Sequence, residues 1–277
     1  MFNIKMKIKY SAFAVLAITA VVLSSCSMNN VEQDETLKKY FDENKVTGSF
    51  ALFDNGRGEF VIYNLKRDTT RILPASTFKI VNALIALQTG VVTTDSTIIK
   101  WDGVQREVSD WNQDLSLARA FRYSSVPHFQ EIARRIGRDT MQKWIDSLKY
   151  GNMKIGPAID SFWLDNSLLI SPDEELGLVK KLYFDQLPFR KGVQKAVRDM
   201  MLQEDNSNYT ISYKTGWGFN NEDHAVGWVV GWIEENRHPY FFVLNIETAD
   251  PEADIPAIRL NILKGILKQK GFFEGKM

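Results

Sequence analysis

Cysteine is nearly absent from this chain: Cys26 is the only one in 277 residues, so the body beyond it has no disulfide and no thiol nucleophile. Its stability must come from packing. A surplus of positive charge is also missing, since basic and acidic side chains both number 34, and this argues against a nucleic-acid partner. Histidine is scarce. His128, His224 and His238 stand at no metal-ligand spacing and beside no Gly-x-Ser-x-Gly elbow, so zinc hydrolysis and Ser-His-Asp catalysis both lose support and no metal site is expected. All three read as ordinary surface or packing residues. Past the N-terminus no apolar run is long enough to span a bilayer. What is present, 44% hydrophobic and 25% charged residues, is the composition of an ordinary folded protein and suits a small-molecule enzyme. The length fits one large domain or two closely packed ones, and one compact unit is expected.

The N-terminus has its own pattern. Lys5, Lys7 and Lys9 precede an apolar run from about Ala12 to Leu23, followed by Ser24, Ser25 and Cys26. Basic, apolar and small residues in that order make a secretory signal, and the run is shorter than the roughly 20 residues of a membrane span. Leu23-Ser24-Ser25-Cys26 resembles the lipobox of bacterial lipoproteins, which implies cleavage before Cys26 and lipidation of its thiol. The expected layout is a signal peptide over residues 1–25, a lipidated N-terminus, tether and first helix over 26–45, and a folded domain over 46–277. The protein would then be exported, periplasmic and attached to a membrane through Cys26 only. Loss of residues 1–25 shifts the balance from 34 against 34 to 31 basic against 34 acidic, a mildly acidic body.

Val46 to Asp54 and Glu59 to Leu65 read as strands joined by the hairpin signal Asn55-Gly56-Arg57-Gly58. Pro74-Ala75-Ser76 then opens a helix, Phe78 to Leu87, apolar nearly all round and closed by Gly90, so it should lie at the centre of its domain. Trp101 to Leu202 is mostly helical in pattern, with caps and stops at Pro127, Gly137, Gly151, Ser171-Pro172 and Pro188. Three strand-like runs follow, around Thr210 to Thr215, Ala225 to Glu234 and Tyr240 to Glu247, and then an amphipathic helix from about Ile255 to Lys270. Strands at both ends of a helical middle predict an α/β (α+β) fold. Its sheet should be mainly antiparallel and flanked by helices, with an inserted helical lobe and a cleft between the lobes.

Two short motifs could carry chemistry. Ser76-Thr77-Phe78-Lys79 sets a hydroxyl and an amine three positions apart at a helix start, hence on one face. A serine nucleophile needs an adjacent base, and Lys79 could serve if burial in the apolar helix strips its charge. Ser76 as a plain helix cap is the alternative. Lys214-Thr215-Gly216 reads as the end of a strand, either a simple turn or a cationic edge that holds a substrate carboxylate, with the small Gly216 letting the ligand approach. Taken together, a Ser-x-x-Lys helix followed by Lys-Thr-Gly is the signature of penicillin-recognising serine enzymes.

Further motifs narrow the resemblance. Ser124-Ser125-Val126 resembles the Ser-x-Val element of class D serine β-lactamases, Tyr150-Gly151-Asn152 their Tyr-Gly-Asn motif, Phe162-Trp163-Leu164 their Phe-Trp-Leu loop, and Gly227 to Trp232 their Trp-rich strand. The body from about Val46 onward is similar to this family throughout. Val81 and His128 depart from it, standing where proline and valine are usual, and neither touches a site assignment. The resemblance implies a serine β-lactamase/penicillin-binding-protein-like fold and hydrolysis of β-lactam antibiotics, hence resistance, through a Ser76 acyl-enzyme. It implies that carbon dioxide carboxylates Lys79 and that this group is the general base. Trp163, Val126 and Leu164 would then stabilise the carbamate, and Ser124 with Lys214 would relay a proton to the leaving nitrogen. Backbone N–H groups of Ser76 and Trp217 would form the oxyanion hole, and Thr215, Gly216, Trp217 and Arg259 would bind substrate. No cofactor other than carbon dioxide is implied. A β-lactam-sensing domain or a D,D-peptidase, acylated but not turned over, is the alternative within the same constellation. Which β-lactams are accepted and the oligomeric state are not legible in the sequence.

Overall fold

The computed structural model describes residues 30–277, so the expected signal peptide and Cys26 lie outside the described residues. The compact body is Glu32–Met277. No helix among the described residues is long and apolar enough to cross a membrane.

After the short β1 (Val31–Gln33) and α1 (Lys38–Glu43), β2 (Thr47–Asp54) and β3 (Glu59–Tyr63) form the expected hairpin, and α2 (Leu65–Asp68) follows. A 3-10 turn, Ala75–Phe78, runs directly into α3 (Lys79–Thr89), which Gly90 ends in a left-handed conformation. The helical middle comprises α4 (Leu117–Arg122), α5 (Val126–Ile136), α6 (Arg138–Leu148), α7 (Pro172–Tyr183) and α8 (Lys191–Met201). It also holds two features the helical pattern did not predict. A small ribbon pairs β4 (Ile98–Ile99) with β5 (Leu115–Ser116), and residues 149–171 form a long irregular loop. The chain ends with β6 (Leu202–Asp205), β7 (Thr210–Phe219), β8 (Ala225–Glu235), β9 (His238–Thr248) and α9 (Ile255–Gln269).

The sheet order is β1-β3-β2-β9-β8-β7-β6, and the pairings from β3 through to β6 are all antiparallel. N- and C-terminal strands thus close one sheet, with the segment between β3 and β6 inserted as a helical lobe. Side chains alternate along the strands. Val226, Trp228, Val230, Trp232, Phe241 and Val243 face the main core beneath the helical lobe. Val229, Ile233, Phe242, Leu244 and Ile246 face a second core, which Leu37, Phe41, Ile262 and Ile266 of the terminal segments complete.

Lys214-Thr215-Gly216 does not end a strand. Glycines 216 and 218 read as breakers, yet β7 continues through Trp217, Gly218 and Phe219, which pair with Gly227, Val226 and Ala225. On its other side β7 is covered by β6 only as far as Ser212. Past that point its edge has no strand partner among the described residues, and the 3-10 turn packs against the face of β7 that carries Gly216 and Gly218.

Two hydrogen bonds hold the segment that leads into this turn. Buried Trp228 donates Nε1–H to the Leu73 carbonyl at 3.0 Å, and the Ala75 N–H donates to the Trp163 carbonyl at 3.1 Å. Trp228→Phe would leave the buried Leu73 carbonyl short of a donor, costing about 1–3 kcal/mol. Urea unfolding should show that loss with an unchanged denaturant slope, and a variant as stable as the parent would show that this bond holds nothing.

Candidate active site

Ser76 lies in the 3-10 turn and caps nothing: Pro74 occupies the cap position of the turn and Phe78 that of α3, neither with a side-chain cap bond. Its hydroxyl instead receives a hydrogen bond from Lys79 Nζ at 2.7 Å, the one-face geometry expected from the three-residue spacing. Lys79 is 0% exposed. Burial pushes its ammonium down to about 7, because an isolated charge is costly to desolvate. Part of its wall was not foreseen, since Nζ sits 5.5 Å from the centroid of the Phe129 ring, on α5 one turn past Val126.

A second serine–lysine pair faces the first. Lys214 Nζ donates to Ser124 Oγ at 2.8 Å and to the Thr215 carbonyl at 2.9 Å. Burial pushes Lys214 well below the usual lysine range, and the nearby charges of Lys79 and Arg259 add to the effect. Ser124 holds a positive φ of 53°, a strained conformation for a residue with a side chain, just before α5 begins at Val126. Its neighbour Ser125 bonds His128 Nδ1 at 2.7 Å, and His128 Nε2 lies 3.1 Å from the Gln113 carbonyl. That carbonyl can only accept, so Nε2 carries the proton and Ser125 donates to Nδ1. His128 is therefore buried and bonded to the residue after Ser124. The sequence reading missed this link, because a bond to Gln113 depends on how the loop returns.

Alternation along β7 puts Lys214, Gly216 and Gly218 on one face and Thr215, Trp217 and Phe219 on the other. The expected purpose of Gly216 changes accordingly. A Cβ there would meet the Pro74 carbonyl at 3.0 Å and Thr77 Cγ2 at 3.2 Å, so the missing side chain lets the strand approach the nucleophile turn rather than the ligand. Trp217 is 47% exposed and Phe219 is exposed beside it. Thr215, Lys214 and Arg259 line a cavity of about 210 Å³ together with Phe121, Tyr213 and Leu260. Arg259 donates to the Gly216 carbonyl, while its Nε is buried without a partner. It is held in this cavity, not solvated on the helix surface.

The loop 149–171 carries Trp163, fully buried and stacked on Phe78 with ring centroids 5.6 Å apart. The Trp163 indole N–H is buried with no hydrogen-bond partner. Leu164 is half-buried and packs on the main core, and Val126 is half-buried at the start of α5. Gly151 anchors the loop: its φ is +52°, and a Cβ there would fall 1.9 Å from the Leu169 carbonyl oxygen. Asn152 then ties the strands of the loop together, donating to the Ser167 carbonyl and accepting from the Leu169 N–H.

One residue behind the turn escaped the sequence reading altogether. Glu175, on α7, is fully buried, and its Oε1 lies 2.6 Å from Thr77 Oγ1 and 2.8 Å from the Tyr150 hydroxyl. Burial pushes its carboxyl up to about 7. No spacing rule connects residues 77, 150 and 175. Elsewhere, Glu222, His224 and Glu247 bring their ligand atoms within 4.8 Å of one another, a grouping that sequence spacing hides. Arg67 already pairs with Glu247 at 2.8 Å and supplies positive charge there.

Residues 29–268 match the family model described as penicillin binding protein transpeptidase domain, which sets the general class. The chain is 37% identical over 257 residues to beta-lactamase OXA-48 of Klebsiella pneumoniae, covering 93% of this chain and 96% of that one. It is 42% identical over 231 residues to the probable beta-lactamase YbxI of Bacillus subtilis, covering 83% and 84%. Its structure is similar to that of the C-terminal domain of the Bacillus licheniformis BlaR penicillin-receptor, with a TM-score of 0.83 and 33% identity over 89% of this chain and 99% of the other. Within the transpeptidase-domain class, the chain belongs to the class D β-lactamase family.

The buried amine has a measurable cost. Lys79 titrates near 7 when folded and near 10.5 when unfolded, so between those values the unfolded chain holds a proton that the folded chain lacks. Folding is penalised increasingly as pH falls from 10.5 to 7, and the penalty then stays constant. Lys79→Met should therefore be the more stable protein at pH 7, by roughly 2 kcal/mol or more. Thermal unfolding of both proteins between pH 7 and 10 should show the gap narrowing as pH rises; a gap independent of pH would contradict the burial argument.

Proposed function

We propose that this chain hydrolyses the amide bond of β-lactams through an acyl-enzyme on Ser76. The observation that carries this reading is the 2.7 Å contact between Ser76 Oγ and an amine that burial deprives of its charge near neutrality. Ser76 Oγ gives up its proton to the base at Lys79 as it attacks the lactam carbonyl carbon, and the developing oxyanion is met by the backbone N–H groups of Ser76 and Trp217. The C–N bond then breaks. Ser124 passes its proton to the leaving nitrogen, and Lys214, in its protonated form 2.8 Å away, resupplies it. Arg259 and Thr215 hold the substrate carboxylate from their shared cavity, and water finally attacks the ester to release product.

Carbon dioxide is the one additional group this reading invokes. The residues present fit it: Lys79 is a buried amine able to lose its proton, and the Trp163 indole N–H is a buried donor without an acceptor. Held as a carboxyl group on Lys79, carbon dioxide would supply the anionic base that Ser76 and then water require. Phe78, Phe129, Val126 and Leu164 supply apolar surroundings that favour the uncharged amine. Ser76→Ala should abolish nitrocefin hydrolysis and the penicillin adduct seen by mass spectrometry. An adduct on another residue would overturn the assignment. Activity should fall as the medium is acidified below about 7, where Lys79 takes up a proton, and should recover when bicarbonate is supplied. Full activity in degassed buffer, with no carbamate resonance in a carbon-13 spectrum, would mean that Lys79 works as a free amine.

The likeness to the BlaR domain favours one second reading, a sensor that is acylated but does not turn over. Time-resolved mass spectrometry separates the two: the adduct of a simple penicillin should be transient, and an adduct that persists for hours at one per protein would favour the sensor.

The N-terminal segment, outside the described residues, is proposed to direct export to the periplasm, with removal before Cys26 and lipidation of its thiol. Cys26→Ala should move the protein from the membrane to the soluble periplasmic fraction. A parent protein that is already soluble and begins at another residue would refute the anchor.

A further inference from the structure

The hydrogen bonds behind the nucleophile turn do not balance unless a proton is added. Three contacts join four groups: the Tyr150 hydroxyl to Glu175 Oε1 at 2.8 Å, Thr77 Oγ1 to the same Oε1 at 2.6 Å, and Thr77 Oγ1 to the Pro74 carbonyl at 2.8 Å. A carbonyl only accepts, an ionised carboxylate only accepts, and each hydroxyl has one proton to give. With Glu175 ionised, two protons would serve three contacts. With Glu175 protonated on Oε1 the chain closes: Tyr150 donates to Glu175, Glu175 donates to Thr77, and Thr77 donates to the Pro74 carbonyl. The other oxygen points the same way. Glu175 Oε2 is buried with no partner, which a neutral acid tolerates far better than a carboxylate does.

These groups sit where they can govern the nucleophile. Thr77 is the residue between Ser76 and Phe78 in the 3-10 turn, and Pro74 caps the same turn. Tyr150 begins the Gly151-Asn152 anchor of the loop that carries Trp163. Glu175 comes from the first turn of α7, whose start at Ser171 is fixed by a reciprocal bond pair with Glu174. A single carboxyl thus joins the nucleophile turn, the Trp163 loop and a helix of the lobe. Phe78 packs edge-on against the Tyr150 ring with centroids 5.6 Å apart, so the polar bridge lies beside a tight apolar contact.

We infer that Glu175 is a positioning residue, held as the protonated acid, which donates to Thr77 Oγ1 and thereby sets the turn that carries Ser76. It rests on the proposed acyl transfer at Ser76 and adds the residue that orients that serine. Burial of the carboxyl supports it independently, since its proton is retained up to about 7. The inference differs from a role in packing alone, because it requires a donor at this position and not merely a side chain of the right volume. Glutamine has such a donor and leucine does not.

The test uses the mature protein and three variants, E175Q, E175L and T77V. Nitrocefin kcat and KM and the rate of Ser76 acylation by a penicillin are measured for each, and the carboxyl carbon of Glu175 is observed in carbon-13-labelled protein at about pH 6, assigned by its loss in E175Q. The expected result is a neutral-acid carboxyl signal and a loss of about 10- to 100-fold in kcat and acylation rate for E175L and T77V, with KM little changed. E175Q should restore most of what E175L loses. An ionised carboxylate at that pH, an E175Q as slow as E175L, or a T77V as fast as the parent would each overturn the inference. If E175L does not fold, T77V and the carboxyl signal decide. If the parent itself is not acylated, the acyl-transfer reading fails, and the carboxyl signal still decides whether Glu175 keeps its proton.

Discussion

The site depends on one costly arrangement, an amine kept out of water beside a serine hydroxyl. Lys79 hydrogen-bonds Ser76 alone among the described residues and is enclosed on a helix whose other side chains are almost all apolar. Pairing it with a carboxylate would stabilise the fold and keep the charge, which would remove the base. The protein instead places two further cations nearby, Lys214 and Arg259, and all three sit on well-buried segments. Desolvation pushes both lysines away from the charged form, and at Lys214 the charges of Lys79 and Arg259 add to it. Stability given up here is recovered from two apolar cores on either side of the sheet.

Geometry has to be held by something other than the charges themselves. The 3-10 turn rests against one face of β7, where Gly216 and Gly218 let the backbones approach. Trp228 fixes the segment before the turn, the Trp163 loop hydrogen-bonds into it, and the Thr77–Glu175–Tyr150 bridge supports it from behind. Each contact comes from a different part of the chain. The nucleophile turn is therefore placed by the whole lobe-and-sheet assembly and not by local propensity, which is why a short turn can hold a hydroxyl and an amine 2.7 Å apart.

The antiparallel sheet, its inserted helical lobe, the central apolar helix and the hairpin at Asp54–Glu59 were all legible in the sequence, because period-2 and helical patterns are local properties of the chain. So was the Ser76–Lys79 contact, since three residues on a helix fix a face. The extension of β7 past Gly216 was not, because strand pairing with Ala225–Gly227 overrides the turn preference of two glycines.

What the sequence by itself determined is thus the order of the elements, the family of the chain and the residue types that can carry its chemistry. Tertiary structure alone decided which of them meet. Phe129 at the lysine, the cavity shared by Arg259 and Thr215, and Glu175 behind Thr77 all arise between segments far apart in the chain. Burial decided the rest. A lysine or glutamate has its ordinary acidity until the fold removes water from around it, and no sequence pattern states how completely that will happen.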